Sequence, residues 1–239
     1  FEMFQVGFSE RLITPADLAK GVSLSGIRKD KDRIARRKLD DLLVRVAWFR
    51  SQRDFILVNA DLICFSFELC EELKAWVEQR WGIEKRCLMM NATHTHSSPH
   101  LGDLQDGGTA HPGYKDFVLD SLKKGIEEAH QDLRPASLSI GRVMSGLCVN
   151  RRKRVWALSK KGKPFVKRVT VNRPNRRGAV DDELGVLKAV RDGGEVAFLI
   201  SMGCHPNLVN GPVMTSDFPG RIRPFLEERM GRPVKFFFL

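Results

Sequence analysis

Two histidines stand two residues apart, directly after an apolar run. Residues 87–90 are typical of a buried strand, and His94 and His96 follow in the segment Asn-Ala-Thr-His-Thr-His-Ser-Ser-Pro. In an extended chain this spacing directs both imidazoles to one face. Histidine is the commonest metal ligand, so the pair can hold one ion, or one ion and its substrate. The same residues also suit a polar turn in which they only cap and hydrogen-bond.

A third histidine occupies a similar position downstream. His205 follows the strand-like run 196–202 and precedes Pro206, which fixes a turn. A single such histidine is usually structural, but strand ends are where open sheets present ligands and catalytic groups. No cysteine has the spacing that a four-ligand structural zinc site requires. We therefore predict that the histidines share a catalytic metal with an open position for water.

Two further polar residues have one chemical and one structural interpretation each. Asp217 either caps a helix, together with Ser216 and Pro219, or orients a metal-binding histidine. His100, in the loop after the first pair, either faces a substrate cleft or points to solvent. For both residues the structural interpretation is the simpler one.

The positive charge is concentrated in one stretch. Residues 151–177 hold twelve Lys or Arg and no Asp or Glu, which leaves 28 basic against 29 acidic residues elsewhere. Such a stretch attracts anionic lipid headgroups, nucleic acid or an acidic substrate. A solvated, mobile loop is the simpler interpretation. Nucleic acid is the weakest of the three partners, because only Trp156 and Phe165 offer stacking. Arg151 opens the stretch, and its guanidinium would stabilise negative charge on a metal-bound carbonyl.

Composition is that of an ordinary soluble globular chain. Of 239 residues, 42% are hydrophobic and 29% charged, enough for one core and one domain. No apolar run approaches the roughly 18 to 20 residues of a membrane span. Five cysteines without a CxxC pair argue against a disulfide scaffold and favour a reducing compartment. The first residues lack signal-peptide features, and a leader removed before Phe1 would leave the same start.

The hydrophobic pattern predicts an α/β or α+β fold with a mixed sheet layered with helices, because strands and helices interleave. The predicted strands are 6–13, 42–49, 55–59, 87–90, 136–140, 166–171, 185–190, 196–202 and 233–239. The predicted helices are 67–81, 113–133 and 218–230. The last run is typical of a buried central strand, so we expect the domain to continue beyond Leu239.

Seven segments of the chain occur in the order found in a known enzyme family. They are 6–15, 24–26, 91–97, 150–152, 182–187, 204–206 and 216–220. On these segments the chain resembles the N-terminal domain of the neutral/alkaline, non-lysosomal ceramidase family, over nearly its whole length. The Thr-His-Thr-His element followed by His-Pro is the specific part of the match.

The resemblance implies a zinc amidase that cleaves the N-acyl bond of a sphingolipid-like amide, with a zinc-activated water attacking the carbonyl. It implies that His94 and His205 bind Zn²⁺, and that His96 lies beside the metal and contacts substrate or water. Arg151 would lie near the reacting carbonyl. The resemblance also favours secretion, whereas the cysteines favour a reducing compartment, so the compartment stays open.

The chain departs from the family pattern in two places. After the second histidine the family has Ser-Gly-Pro, whereas this chain has Ser97-Ser98-Pro99 followed by His100. This difference would reshape the mouth of the substrate pocket. We expect Gly26 and His100 to contact the substrate there. The family's remaining zinc ligands, a Glu and a Tyr, would come after Leu239. Residues 1–239 are therefore predicted to be one partial catalytic domain with two of four protein ligands.

Two other functions compete with the hydrolase. The chain would alternatively be a truncated, non-catalytic module whose segment 151–177 binds an anionic surface. An amidohydrolase barrel also uses a His-x-His pair, but there the pair lies in the first barrel strand, and here several strands precede it. That fold also needs about 250 residues, so it ranks last.

Overall fold

A computed structural model describes residues 3–26, 33–102, 109–158 and 166–239. Within these ranges strands and helices interleave, which confirms the predicted mixed α/β class. The strands are β1 (Gln5–Leu12), β2 (Val22–Leu24), β3 (Arg33–Ala35), β4 (Leu43–Arg50), β5 (Asp54–Ala60), β6 (Leu88–Ala92), β7 (Arg134–Met144), β8 (Arg152–Leu158), β9 (Val166–Asn172), β10 (Glu183–Arg191), β11 (Val196–Met202) and β12 (Val234–Phe238). The helices are α1 (Phe67–Trp81), α2 (Tyr114–Gln131) and α3 (Pro219–Met230). No helix in the described part of the chain is long and apolar enough to cross a membrane.

Eight of the strands form one mixed sheet in the order β12-β11-β10-β7-β1-β4-β5-β6. Strands β5 and β6 run parallel, as do β11 and β12, and the other neighbours are antiparallel. The shortest strand pairing is in the middle of the sheet, where β1 and β7 pair only through Gln5 with Pro135 and Val6 with Arg134. The sheet therefore consists of two four-stranded halves.

The two halves lie face to face. The rings of Phe8 in β1 and Phe237 in β12 are 6.0 Å apart, and Asn59 in β5 donates a hydrogen bond to the Phe238 carbonyl at 2.7 Å. One buried cluster takes members from both halves: Val6, Phe8, Ala47, Leu57, Ala189, Ala197, Leu199 and Phe237. Since side chains alternate along a strand, the opposite face of each half points outward.

The helices cover those outer faces. Helix α1 begins behind Ser66, whose side chain accepts a hydrogen bond from the Leu69 amide, and it buries Leu69, Leu73 and Val77 against the first half and α2. Helix α3 packs Ile222 and Leu226 on the second half. Each fully buried aliphatic side chain contributes about 1.5–3 kcal/mol to folding. The molecule is thus layered helix, sheet, sheet, helix.

The sequence located most elements and missed the shortest. Helix 67–81 and strand 196–202 have the predicted bounds, and the other predicted elements are shifted by a few residues at most at each end. Strands β2 and β3 were not predicted, because three residues cannot show a period of two.

The basic stretch contains paired strands where a mobile loop was the simpler expectation. Strands β8 and β9 form an antiparallel hairpin, from the pair Arg152 and Asn172 to the pair Leu158 and Val166. The loop interpretation is therefore wrong for β8, whereas β9 confirms the predicted strand 166–171. Three consecutive basic residues at the start of β8, Arg152, Lys153 and Arg154, obscured its alternation. The part of the basic stretch at 159–165 lies outside the described residues.

Candidate metal centre

The three histidines singled out by the sequence come together. The candidate ligand nitrogens of His94, His96 and His205 all lie within 4.8 Å of one another. Their ring centroids are 4.7–5.0 Å apart. His94 and His96 follow β6 in one half of the sheet, and His205 follows β11 in the other. The face-to-face packing of the halves therefore creates the cluster.

Backbone carbonyls set the orientation of two imidazoles. Nδ1 of His94 lies 2.7 Å from the Ile63 carbonyl oxygen, and Nδ1 of His96 lies 2.6 Å from that of Gly26. A carbonyl only accepts, so each Nδ1 carries the proton and donates it. In the neutral rings both Nε2 atoms then carry a lone pair that accepts a hydrogen bond or binds a cation. This is the arrangement that metal-binding histidines use.

The spacing of the Nε2 atoms fits a shared cation. Nε2 of His96 lies 2.9 Å from Nε2 of His205. Because Nδ1 of His96 carries its proton, Nε2 of His205 is the donor in this contact, and a bound cation would take the place of that proton between the two nitrogens. Nitrogen ligands 2.0–2.1 Å from a tetrahedral zinc stand about 3.3 Å apart, close to this separation. The three histidines could therefore hold one metal ion.

Burial keeps His205 in the form that binds metal. Burial lowers its pKa most, and together with the positive charge of Arg151 and the neighbouring His94 and His96, against the carboxylate of Asp217, it brings the pKa of His205 to about 4. A neutral imidazole has the lone pair that a metal ligand needs. Ligation at His205 therefore costs no deprotonation near neutral pH.

Backbone strain is concentrated at this centre. Among the described non-glycine residues, His94 and Asp217 have positive φ, at 64° and 62°. Each such conformation costs about 1–3 kcal/mol and is typical of functional sites. Asp217 is buried, and its Oδ2 accepts hydrogen bonds from the Leu208 and Val209 amides, both at 2.9 Å. The carboxylate thus holds the loop that follows His205.

The predicted helix cap is wrong. Helix α3 has Phe218 at the N-cap position, with no side-chain cap hydrogen bond. Ser216 donates its hydroxyl to Asp40, and the left-handed backbone of Asp217 turns its carboxylate towards the 208–209 loop. Its hydrogen bonds run to backbone amides, and a direct partnership with a histidine stays a prediction.

Gly26 lies directly beneath His96. Its φ is 86°, and a Cβ there would stand 2.7 Å from Nδ1 of His96 and overlap Cδ1 of Ile63. Only glycine allows the carbonyl to reach the imidazole in this geometry. A contact of Gly26 with substrate stays a prediction.

His100 is buried, with 3% of its surface exposed, so solvent is the wrong destination for it. Its Nδ1 accepts a hydrogen bond from the Gly102 amide at 2.9 Å. His100 is not a member of the three-histidine cluster. Its predicted contact with substrate is not tested by this arrangement.

Arg151 is exposed, close enough to His205 to lower its pKa. The backbone around it is fixed: the Arg151 carbonyl accepts from the Arg173 amide at 3.1 Å, and Asn150 donates its side-chain amide to the Ala179 carbonyl at 2.7 Å. Arg151 therefore places a positive charge beside the cluster from a fixed strand end.

A cleft of about 310 Å³ opens over two of the histidines, His94 and His205. Thr93 also lines it, with a buried Oγ1 that has no hydrogen-bond partner among the described residues. The sequence analysis did not select Thr93, although it immediately precedes the first histidine. A buried donor without a partner at a cleft wall can pair with water or a bound ligand if the side chain turns towards the cleft.

Comparison with known proteins identifies the fold. No family model matches the sequence, and no curated protein is significantly similar to it. Two similar solved structures are a neutral ceramidase from Pseudomonas aeruginosa and a ceramidase complexed with C2. Each is 18% identical with a TM-score of 0.73, and the matches cover 100% of this chain but 38% and 37% of those chains. The resemblance seen in the sequence is thereby confirmed at the level of the fold: over its whole length, this chain has the fold of part of a neutral ceramidase.

Proposed function

We propose that this chain provides the metal-binding part of a zinc-dependent hydrolase that cleaves the N-acyl amide bond of a lipid. The observation that carries the proposal is the convergence of His94, His96 and His205, with two of the rings oriented by backbone carbonyls. The ceramidase fold supports the same chemistry. The chain spans about 38% of that ceramidase, so the activity belongs to the whole protein of which it would be a part.

In the proposal, His94 and His205 hold the metal and the Nε2 of His96 faces the same point. Zinc bound there would supply a Lewis acid for the amide carbonyl and lower the pKa of a bound water. Nε2 of His96 can join the ligands or hold a proton next to the reacting atoms. The hydrogen bond to Gly26 fixes which nitrogen does so.

Arg151 and Thr93 would act on the substrate side. The guanidinium stands beside His205, where it can stabilise negative charge that develops on the amide oxygen. The hydroxyl of Thr93, in the wall of the cleft, can donate a hydrogen bond to a substrate carbonyl or to water. Both groups are placed to orient an amide rather than to bind the metal.

The surroundings of the centre suit an apolar substrate. Leu208, three residues after His205, is 74% exposed, and Leu147, four residues before Arg151, is 69% exposed. Both leucines are near site residues in the sequence, and exposed large apolar side chains of this kind are typical of a binding surface. An acyl chain would cover them, which favours a lipid amide over a small polar one.

Hydrolysis of an N-acyl amide by the full natural protein tests the proposal. We expect Arg151→Ala to lower kcat about 100-fold or more, as loss of an oxyanion donor does, and His96→Ala to lower it comparably. Arg53→Ala, which removes an exposed charge from the turn between β4 and β5, should leave kcat unchanged. No hydrolysis of any N-acyl amide, or equal effects of Arg151→Ala and Arg53→Ala, would contradict the proposed function.

A further inference from the structure

The β8–β9 hairpin presents an unusual surface. Its base is closed by the hydrogen bond from the Arg173 amide to the Arg151 carbonyl, next to the metal centre. Seven residues per strand make it about 23 Å long. Residues directly opposite one another on paired strands share a face of the hairpin.

The register defines what we call the Trp156 face. Here Trp156 lies opposite Arg168, and Leu158 lies opposite Val166. Trp156 and Leu158 are each 71% exposed, and Val166 is 59% exposed. The basic and apolar members of this face are Arg152, Arg154, Arg168, Trp156, Leu158 and Val166.

The opposite face of the hairpin is the more buried one. Val155, Ala157, Val169 and Val171 alternate with the Trp156 face and are only partly exposed. A strand pair in water normally turns its apolar side inward and its polar side outward. On this hairpin the exposed Trp156 face instead carries a tryptophan, a leucine and a valine near the tip, and arginines nearer the base.

The arginines of this face lack acidic partners. Residues 151–177 contain no Asp or Glu, and no ion pair joins Arg152, Arg154 or Arg168 to any other residue in the described ranges. Surface arginines normally lie near carboxylates that offset their charge. An anionic partner would supply the negative charge that offsets the arginines. Because the apolar tip lies next to them, the same partner should also have an apolar layer.

An anionic bilayer provides both. Tryptophan prefers the boundary between headgroups and acyl chains, and Lys or Arg near an anionic leaflet are attracted to its phosphates and carboxylates. Single-stranded nucleic acid would need a row of stacking aromatics, and the described part of the hairpin has one. The combination of one interfacial aromatic, aliphatic neighbours and arginines therefore favours lipid.

We propose that the Trp156 face docks on the surface of an anionic lipid bilayer. Trp156, Leu158 and Val166 enter the interface, and Arg152, Arg154 and Arg168 contact the headgroups. The inference rests on the proposed function in one respect: the bilayer would be the source of the lipid amide. Because β8 begins directly after Arg151, docking would bring the chain that carries the metal centre to the bilayer that holds the substrate.

Vesicle flotation tests this with phosphatidylcholine vesicles that contain or lack phosphatidylserine. We expect the protein to bind the anionic vesicles, and added salt to weaken the binding. Reversing the three arginines, as R152E/R154E/R168E, should lower partitioning at least about 100-fold, since loss of each basic residue near the surface costs about fivefold and the new carboxylates add repulsion. The matched variant K20E/R53E/K124E removes the same charge from exposed positions outside the hairpin and should change partitioning little.

Tryptophan fluorescence tests the apolar part separately and does not depend on the charge variants. Trp48 is buried and Trp76 and Trp81 are partly buried, so Trp156 should give most of a blue shift on vesicle binding. The shift should disappear in W156F, and W156A should weaken binding while all charges remain.

Three results would overturn the membrane proposal. They are equal losses in the two triple variants, no change in the Trp156 signal, and binding to a DNA oligonucleotide without binding to vesicles.

Zinc content measured on the same samples separates the two proposals. Docking does not require zinc, and the hairpin variants should retain it. If docking is lost and zinc is retained, only the membrane proposal is contradicted. If zinc is lost and docking is retained, only the proposed function is contradicted.

Discussion

His94, a ligand in the proposed metal centre, has a backbone conformation that costs stability. Its left-handed backbone directs the imidazole towards His205, and the Ile63 carbonyl then fixes its tautomer. The sequence was sufficient to select the three histidines, because their types and strand-end positions are local features. It was not sufficient to find the carbonyl of Gly26 or the hydroxyl of Thr93. Their roles depend on contacts across the fold that no local pattern encodes.

Gly26→Ala should impair the metal centre beyond its effect on the backbone. Alanine at a positive φ costs about 1 kcal/mol, and the clash with His96 and Ile63 adds about 1–3 kcal/mol. Gly82→Ala is the matched control, because Gly82 also has a positive φ, 68°, but open space around its Cβ position. Denaturant unfolding and zinc titration should show both variants destabilised, with zinc affinity reduced only in Gly26→Ala. Equal zinc affinity in the two would mean that Gly26 does not support His96.

Asp217→Ala should loosen the loop that follows His205. It leaves the Leu208 and Val209 amides without their acceptor, which we expect to cost about 1–3 kcal/mol of unfolding free energy. Zinc affinity should fall about 10-fold or more, as when a residue that positions a ligand is removed.

Asp217→Asn is the matched control for this change. Asparagine tolerates the left-handed backbone and keeps one acceptor oxygen, so it should retain most of the stability. If Asp217→Ala and Asp217→Asn both leave zinc affinity unchanged, the loop does not position His205.

At the scale of elements, long periodic segments were predictable and face-to-face packing was not. Helix 67–81 has a clear three-to-four spacing, and strand 196–202 is a continuous apolar run. Strand β8 was missed because arginines and lysines occupy both of its faces at its start. The pairing of β1 with both β4 and β7, which joins the halves, depends on residues more than 30 positions apart. No local period specifies it.

The contact between β1 and α2 is set by one glycine. A Cβ on Gly7 would overlap the Ala129 carbonyl oxygen, so Gly7→Ala must push the helix away from the sheet. We expect a loss of about 2–3 kcal/mol in unfolding free energy, typical of overpacking.

Gly185→Ala, in strand β10 with open space at the Cβ position, is the control, and it should change stability by about 0.5 kcal/mol or less. Both values come from the same denaturant unfolding experiment. Similar losses in Gly7→Ala and Gly185→Ala would contradict the close packing of α2 on β1.

At the scale of the whole molecule, the site exists because two sheet halves meet. The sequence predicted the mixed α/β class and the ceramidase resemblance, since both follow from element order and motif order. It predicted His94 and His205 as metal ligands with His96 beside them, and the folded chain brings the three together, while the choice of ligands stays a prediction. Its prediction that residues 1–239 form one partial catalytic domain stays a prediction.

Zinc binding by this chain tests the central claim most directly. The chain of residues 1–239 should bind one zinc ion, which metal analysis after dialysis would measure. Zinc should also raise its Tm, because a ligand that binds only the folded state stabilises that state. His94→Ala/His205→Ala should abolish both signals. His130→Gln should leave both unchanged, because His130 packs against Trp48 and Trp81 outside the cluster. If the unaltered chain binds no zinc, or if the double variant binds it as well as the unaltered chain does, the three histidines are not a metal centre.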